Sequence, residues 1–201
     1  QVFFDIDREI MPFNRAGRDW VYKSSRCVDN TVAFGSTKNL GVTGTVIFNN
    51  SPFPFLDEDA VEPPEIVFGP HCATPYSSKS IINISGMSFG ALSGPAVKAL
   101  SKGAEMAGCW MNTGEGGLSP YHLHGKADIV FQIGTAKYGV RDKEGKLDHE
   151  KMKELGTFPF IKMFEIKLSQ GAKPGKGGIL PGEKVTPEIA KIRGIAVGEP
   201  S

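Results

Sequence analysis

The stretch FIKMFEIKLSQGAKPGKGG, residues 160–178, decides how this chain is read. Glu165 and Lys167 stand inside its largely apolar first half. Side chains alternate along a strand, so Phe164, Ile166 and Leu168 share one face while Glu165 and Lys167 share the other. The apolar set suits a face covered by helices, which leaves the two charges pointing into an interior. An unpaired buried charge is strongly destabilising, so each needs a partner. One reading is an ion-pair network that satisfies that interior. The other is that Lys167, nearer the strand's carboxyl end, meets an anionic or electron-rich ligand.

Outward from this strand the same cycle recurs. SIINIS (80–85) reads as a buried strand. A helix follows, with Ser93 as N-cap, Pro95 in its first turn and Val97, Leu100, Ala104 and Ala107 on one apolar face. Gly108 is its stop signal. CWMNT is a second strand and DIVFQIG a third. HEKMKEL after Asp148 is a short helix, and TPEIAKIR opens another with Thr186 as cap. Strands alternating with helices predict βαβ units and a parallel sheet. Four such units correspond to the first half of a (β/α)8 TIM barrel, in which strand carboxyl ends carry the chemistry. Residues 1–78 show no sustained period, with short pieces such as TGTVIFNN and EIVFG among Pro and Gly. They read as an irregular N-terminal arm or cap with a few short strands, ahead of the half-barrel at 79–201.

The other strand ends repeat the design. Gln132 falls on the face opposite Ile129, Phe131 and Ile133, and its amide offers two donors and an acceptor. A satisfied core amide is the plainer reading. The first strand ends in SGMSFGALSG, where Gly86 and Gly90 permit close backbone approach. Glu115 lies between glycines in NTGEGGLSPYH. The loop over 170–182 carries Lys173 and Lys176 on a glycine-rich backbone. It reads either as a solvated loop or as a substrate lid, with Arg193 able to add a clamp on a carboxylate. GAKPGKGG is not a phosphate loop, because its spacing is one residue short and Gly177 stands at the hydroxyl position. His122 and His124 form no metal-ligating pattern.

Lys and Arg total 23 against 22 Asp and Glu, so no global field recruits nucleic acid or an acidic membrane. Apolar runs fall short of a membrane span and no signal peptide is visible. The first residue is Gln1, so the chain reads as a processed or excised piece from which an upstream anchor or signal would be missing. Cys27, Cys72 and Cys109, odd in number and scattered, read as reduced and mostly buried thiols of a cytoplasmic protein.

Taken together, ISGMSFGALS, NTGEGGLSPYH, QIGTAKYGVR and EIKLSQGAKPGKGGILPGEKVTPEIAKIR resemble the FMN-binding synthase domain of glutamate synthases and stand-alone proteins sharing it. The likeness runs over roughly residues 66–197. It implies an FMN-dependent oxidoreductase with the flavin at a barrel mouth. The flavin would be reduced by an electron-donor protein or subunit, and would pass a hydride to 2-iminoglutarate made from 2-oxoglutarate and ammonia, giving L-glutamate. By position, Met87 and Ser88 would line the flavin, and Gln132 and Lys167 would contact its ring. Lys167 would serve catalysis by stabilising the reduced ring. Glu115, also catalytic, would sit near the ammonia entry. Gln170, Lys173 and Arg193 would hold 2-oxoglutarate.

The resemblance also implies what the chain lacks. No glutaminase domain is expected within these residues, any iron–sulfur ligands would lie beyond Ser201, and the FMN phosphate cradle would belong to a second barrel half. The 201-residue piece alone is therefore expected to be inactive and to need a partner segment. Ile179 stands where a polar residue is expected, which opens the alternative of a related reductase acting on another imine or keto acid.

Overall fold

The computed structural model describes residues 15–28, 39, 41–47, 49, 52–53, 55–62, 64–168 and 179–201. The chain divides into two units, 1–60 and 61–201. In the first, helix α1 spans Arg15–Ser25, with Lys23 and Asp19 paired at 2.9 Å one turn apart. A short 3-10 turn covers Asp57–Asp59. The described part of TGTVIFNN forms no strand.

The second unit opens with an antiparallel pair, β1 (Ile66–Phe68) and β2 (Tyr76–Ser78). The Tyr76 hydroxyl donates to Asp128 Oδ2 at 3.0 Å. Burial first, and then that carboxylate, push the phenol pKa up to about 12. Helix α2 (Gly94–Ala107) starts and stops where its sequence dictates: Ser93 Oγ accepts from Ala96 N, and Gly108 ends the helix in the left-handed conformation. Val97 and Ala104 are fully buried and Leu100 is partly so, but Ala107 at the last position faces solvent.

Strands β3 (Met111–Asn112), β4 (Ile129–Ile133) and β5 (Ile161–Ile166) form a parallel sheet in chain order. The expected first strand at 80–85 contracts to a single parallel bridge, Ile84 to Met111. Helix α3 (His149–Gly156), capped by Asp148, joins β4 to β5, and α4 (Pro187–Arg193), capped by Thr186, follows the loop after β5. Met111, Ile129, Phe131 and Val140 are fully buried and form the centre of the core. The chain is thus a mixed α/β structure with small sheets.

Two expectations need correction. Phe164 packs edge-on to Phe131, but Ile166 and Leu168 on the same face are 70% and 89% exposed, so helices do not cover that face along its whole length. Cys27 and Cys72 are exposed and only Cys109 is buried, because the first two lie in turns outside the core. Among the described residues, no helix is long and apolar enough to cross a membrane.

Candidate functional site at the carboxyl edge of the sheet

The register of β4 against β5 builds the centre of the site. Ile129 pairs with Ile161, but Val130 pairs with Met163, so β5 carries one extra residue at Lys162. Beyond this bulge Phe131 meets Phe164 and Gln132 meets Glu165. A one-residue slip exchanges the faces of a strand. The bulge therefore places the Gln132 amide beside a carboxylate instead of beside a phenyl ring. Gln132 Nε2 donates to Glu165 Oε1, and Asn112 Nδ2, from β3, donates to the same oxygen at 2.9 Å. Asn112 Oδ1 in turn accepts from Gly114 N at 2.9 Å.

Lys167 extends the pairing past the end of β5, its N–H donating to Ile133 O at 3.0 Å. Two residues beyond Glu165, it shares that residue's face. Its ammonium lies 2.9 Å from Glu115 Oε2, which is carried by the loop after β3. The two side chains are 32% and 26% exposed, so the pair remains open to solvent. Gly134 makes room for this carboxylate: a Cβ there would lie 2.7 Å from Glu115 Cγ.

The loop after Ile84 borders the same edge. Met87 N donates to Asn112 O at 3.2 Å, and Ser88 lies against Gly114, where a Cβ would come within 2.7 Å of Ser88 N. Met87 O is held by fully buried His122. Ser119 N donates to His122 Nδ1 at 3.1 Å, so Nδ1 carries the lone pair and Nε2–H donates to Met87 O at 2.8 Å. Burial lowers the pKa of this imidazole, which keeps the arrangement neutral. His122 is thus a packed tie between two loops, and no metal-ligating cluster occurs among the described residues.

Arg193, at the last position of α4, is 5% exposed. Nη1 donates to Ser201 Oγ at 2.8 Å and Nη2 to Phe89 O at 3.4 Å. The guanidinium lies 5.1 Å from the centre of the Tyr138 ring, and burial lowers its pKa. No carboxylate pairs with it among the described residues. Gly90 leaves room for it, since a Cβ there would approach Nη2 to 2.9 Å. Gln170 and Lys173 lie outside the described residues.

The structure thus joins Lys167 to Glu115 and places Gln132 on the same sheet face. It ties Met87 and Ser88 to the neighbouring strand end and seats Arg193 beneath the Phe89–Gly90 turn. Sequence reading passed over Asn112, His122 as a tie, and Tyr138. It set Glu165 behind Lys167, although strand alternation already put both on the polar face.

A family model described as a conserved region in glutamate synthase matches residues 45–201. The chain is 35% identical to the glutamate synthase large subunit-like protein YerD of Bacillus subtilis, over 99% of this chain and 45% of that protein. It is 36% identical to a glutamate synthase large subunit-like protein of Rhizobium meliloti, over 62% of this chain and 25% of that one. It is 43% identical to the archaeal glutamate synthase (NADPH) of Methanocaldococcus jannaschii, over 58% and 20%. The chain therefore spans less than half the length of these curated relatives. It belongs to the glutamate synthase family, within that conserved region.

Proposed function

We propose that this chain supplies the ring side of an FMN site in a glutamate synthase-like oxidoreductase. The observation that carries the reading is the Lys167–Glu115 pair standing on the same sheet face as Gln132, at the carboxyl edge where parallel α/β folds bind their ligands. The residues fit a planar polar ring. Gly86 lets its backbone pack closely against this edge, where a Cβ would come within 3.3 Å of Asn112 Oδ1 and Gln132 Nε2, the amide edge turned away from Oε1. Gln132 offers hydrogen bonds and Lys167 a positive charge.

When bound, FMN supplies the hydride that converts 2-iminoglutarate, formed from 2-oxoglutarate and ammonia, into L-glutamate. Lys167 would neutralise negative charge on the reduced ring, and Gln132 would orient it. Met87 and Ser88 would close one side. Glu115, beside Lys167, would sit near the ammonia entry. Arg193, with Gln170 and Lys173, would bind the carboxylates of the keto acid. An electron-donor protein or subunit and a source of ammonia complete the scheme, and an iron–sulfur cluster would belong to other parts of the full-length protein.

Strand order that equals chain order supports a barrel-like winding, of which these units would be the first half. The exposed Ile166 and Leu168 then await the remaining strands, and the isolated piece would be inactive. The test is the visible spectrum of the full-length protein, followed by glutamate formation from 2-oxoglutarate and ammonium with an artificial reductant. Flavin bands and glutamate are expected; a colourless protein that takes up no FMN ends the reading. A second reading, reduction of another imine or keto acid, rests on Ile179, whose apolar side chain is 55% exposed. Flavin bands without glutamate would select it.

A further inference from the structure

We propose that Glu165 is a positioning residue: it turns the Gln132 amide so that Oε1, and not the NH2 group, is presented to the bound ring. This deepens the FMN reading and rests on it.

The argument is one of hydrogen-bond polarity. A backbone N–H can only donate, so the Gly114 N–H at 2.9 Å marks the oxygen of the Asn112 amide. The NH2 of Asn112 then points at Glu165 Oε1, 2.9 Å away. An ionised carboxylate only accepts, so Glu165 also draws the NH2 of Gln132 toward itself. The chain of bonds from Gly114 to Gln132 has one consistent direction, set at its two fixed points by a peptide donor and a carboxylate acceptor. The Gln132 main chain is anchored separately, its N–H donating to Thr113 Oγ1 at 3.0 Å. Gln132 as a residue is 8% exposed, and among the described residues no donor reaches Oε1. What Gln132 offers a ligand is therefore an acceptor, which complements a ring N–H. Without Glu165 the amide is free to turn over, and its NH2 donor, meeting the ring N–H, would repel it.

The test uses the full-length protein and three variants: Glu165→Leu, Glu165→Gln and Gln132→Leu. Glu165→Leu removes the acceptor, while Glu165→Gln keeps a carbonyl oxygen able to hold both amides. Glu165→Leu is expected to weaken FMN roughly 3- to 10-fold, the value of about one hydrogen bond, and to shift the visible bands. Glu165→Gln should restore most of both. Because Glu165 acts through Gln132, adding Glu165→Leu to Gln132→Leu should weaken FMN little further. Additive losses, or a Glu165→Gln variant as poor as Glu165→Leu, would overturn the proposal.

A second measurement needs no flavin. In protein labelled with 15N at glutamine and asparagine side chains, the amide protons of Gln132 and Asn112 should exchange slowly and lose that protection in Glu165→Leu. Unprotected amides in the parent protein would refute the role of Glu165. Protected amides in a protein that takes up no FMN would refute the flavin reading alone.

Discussion

Lys167 Nζ and Glu115 Oε2 stand 2.9 Å apart, joining the end of the last parallel strand to the loop after β3. The pair shows that the charges on the polar face of β5 have protein partners. Glu165 does not pair with its neighbour Lys167; it holds the amides of Asn112 and Gln132, and the lysine reaches to another loop. Two separate carboxylates therefore serve two separate tasks on one sheet edge.

Replacing Lys167 with Met separates these tasks. The pair is about one-third exposed, so global stability should fall by only about 0–1 kcal/mol, read from denaturant midpoints. On the proposed FMN reading, glutamate formation by the full-length protein should fall at least ~100-fold, because the charge proposed to face the reduced ring is lost. A drop in activity that merely tracks the loss of stability would make Lys167 a structural residue.

Gly134→Ala tests the packing beneath Glu115. The added methyl would overlap the carboxylate, with Cγ at 2.7 Å, so the side chain must leave its place beside Lys167. Because the clash is with a part-exposed side chain, urea unfolding should show a loss of only about 0–1 kcal/mol, the value of the broken pair. A loss well above that range would mean that the backbone, and not Glu115, gives way.

Stability should fall in mild acid through His122. Burial lowers its folded pKa, so the unfolded chain takes up the proton first as pH drops. The contribution is complete above about pH 6.5 and is lost as pH falls below that value, with a limiting slope near 1.4 kcal/mol per pH unit. Urea midpoints measured from pH 7.5 to 5 should slope more steeply in the parent than in His122→Gln. Parallel curves would remove His122 from this role.

On the proposed substrate role, Arg193→Lys should raise the KM for 2-oxoglutarate at least ~10-fold while the flavin spectrum stays unchanged, since lysine cannot reproduce the planar fork that lies 5.1 Å from the Tyr138 ring centre. Loss of FMN in this variant would instead assign Arg193 to holding the Phe89–Gly90 turn.

Much of the architecture was legible locally. Ser93 and Thr186 cap the helices they were expected to cap, Asp148 caps the short helix expected to follow it, and Gly108 stops α2, because capping depends on neighbours a few residues away. The polar face shared by Glu165 and Lys167 was legible for the same reason, since alternation is a local property of extended chain. The exposure of Ile166 and Leu168 was not, because burial depends on what covers a face and not on the strand that presents it. His122 carries no metal-ligating pattern in the sequence, and its bond to Met87 O spans thirty-five residues and leaves no local signal.

By itself, then, the order of residues determined the alternation of strands and helices, the helix ends, and which side chains stand on the polar face of β5. Tertiary structure alone decided their partners. The single extra residue at Lys162 sets Gln132 against Glu165, and the loop after β3 brings Glu115 to Lys167. Periodicity is written along the chain and is read from one strand at a time. Register and loop return are settled only when separate strands pack together, because each pairing competes with its one-residue slip for the same buried surface.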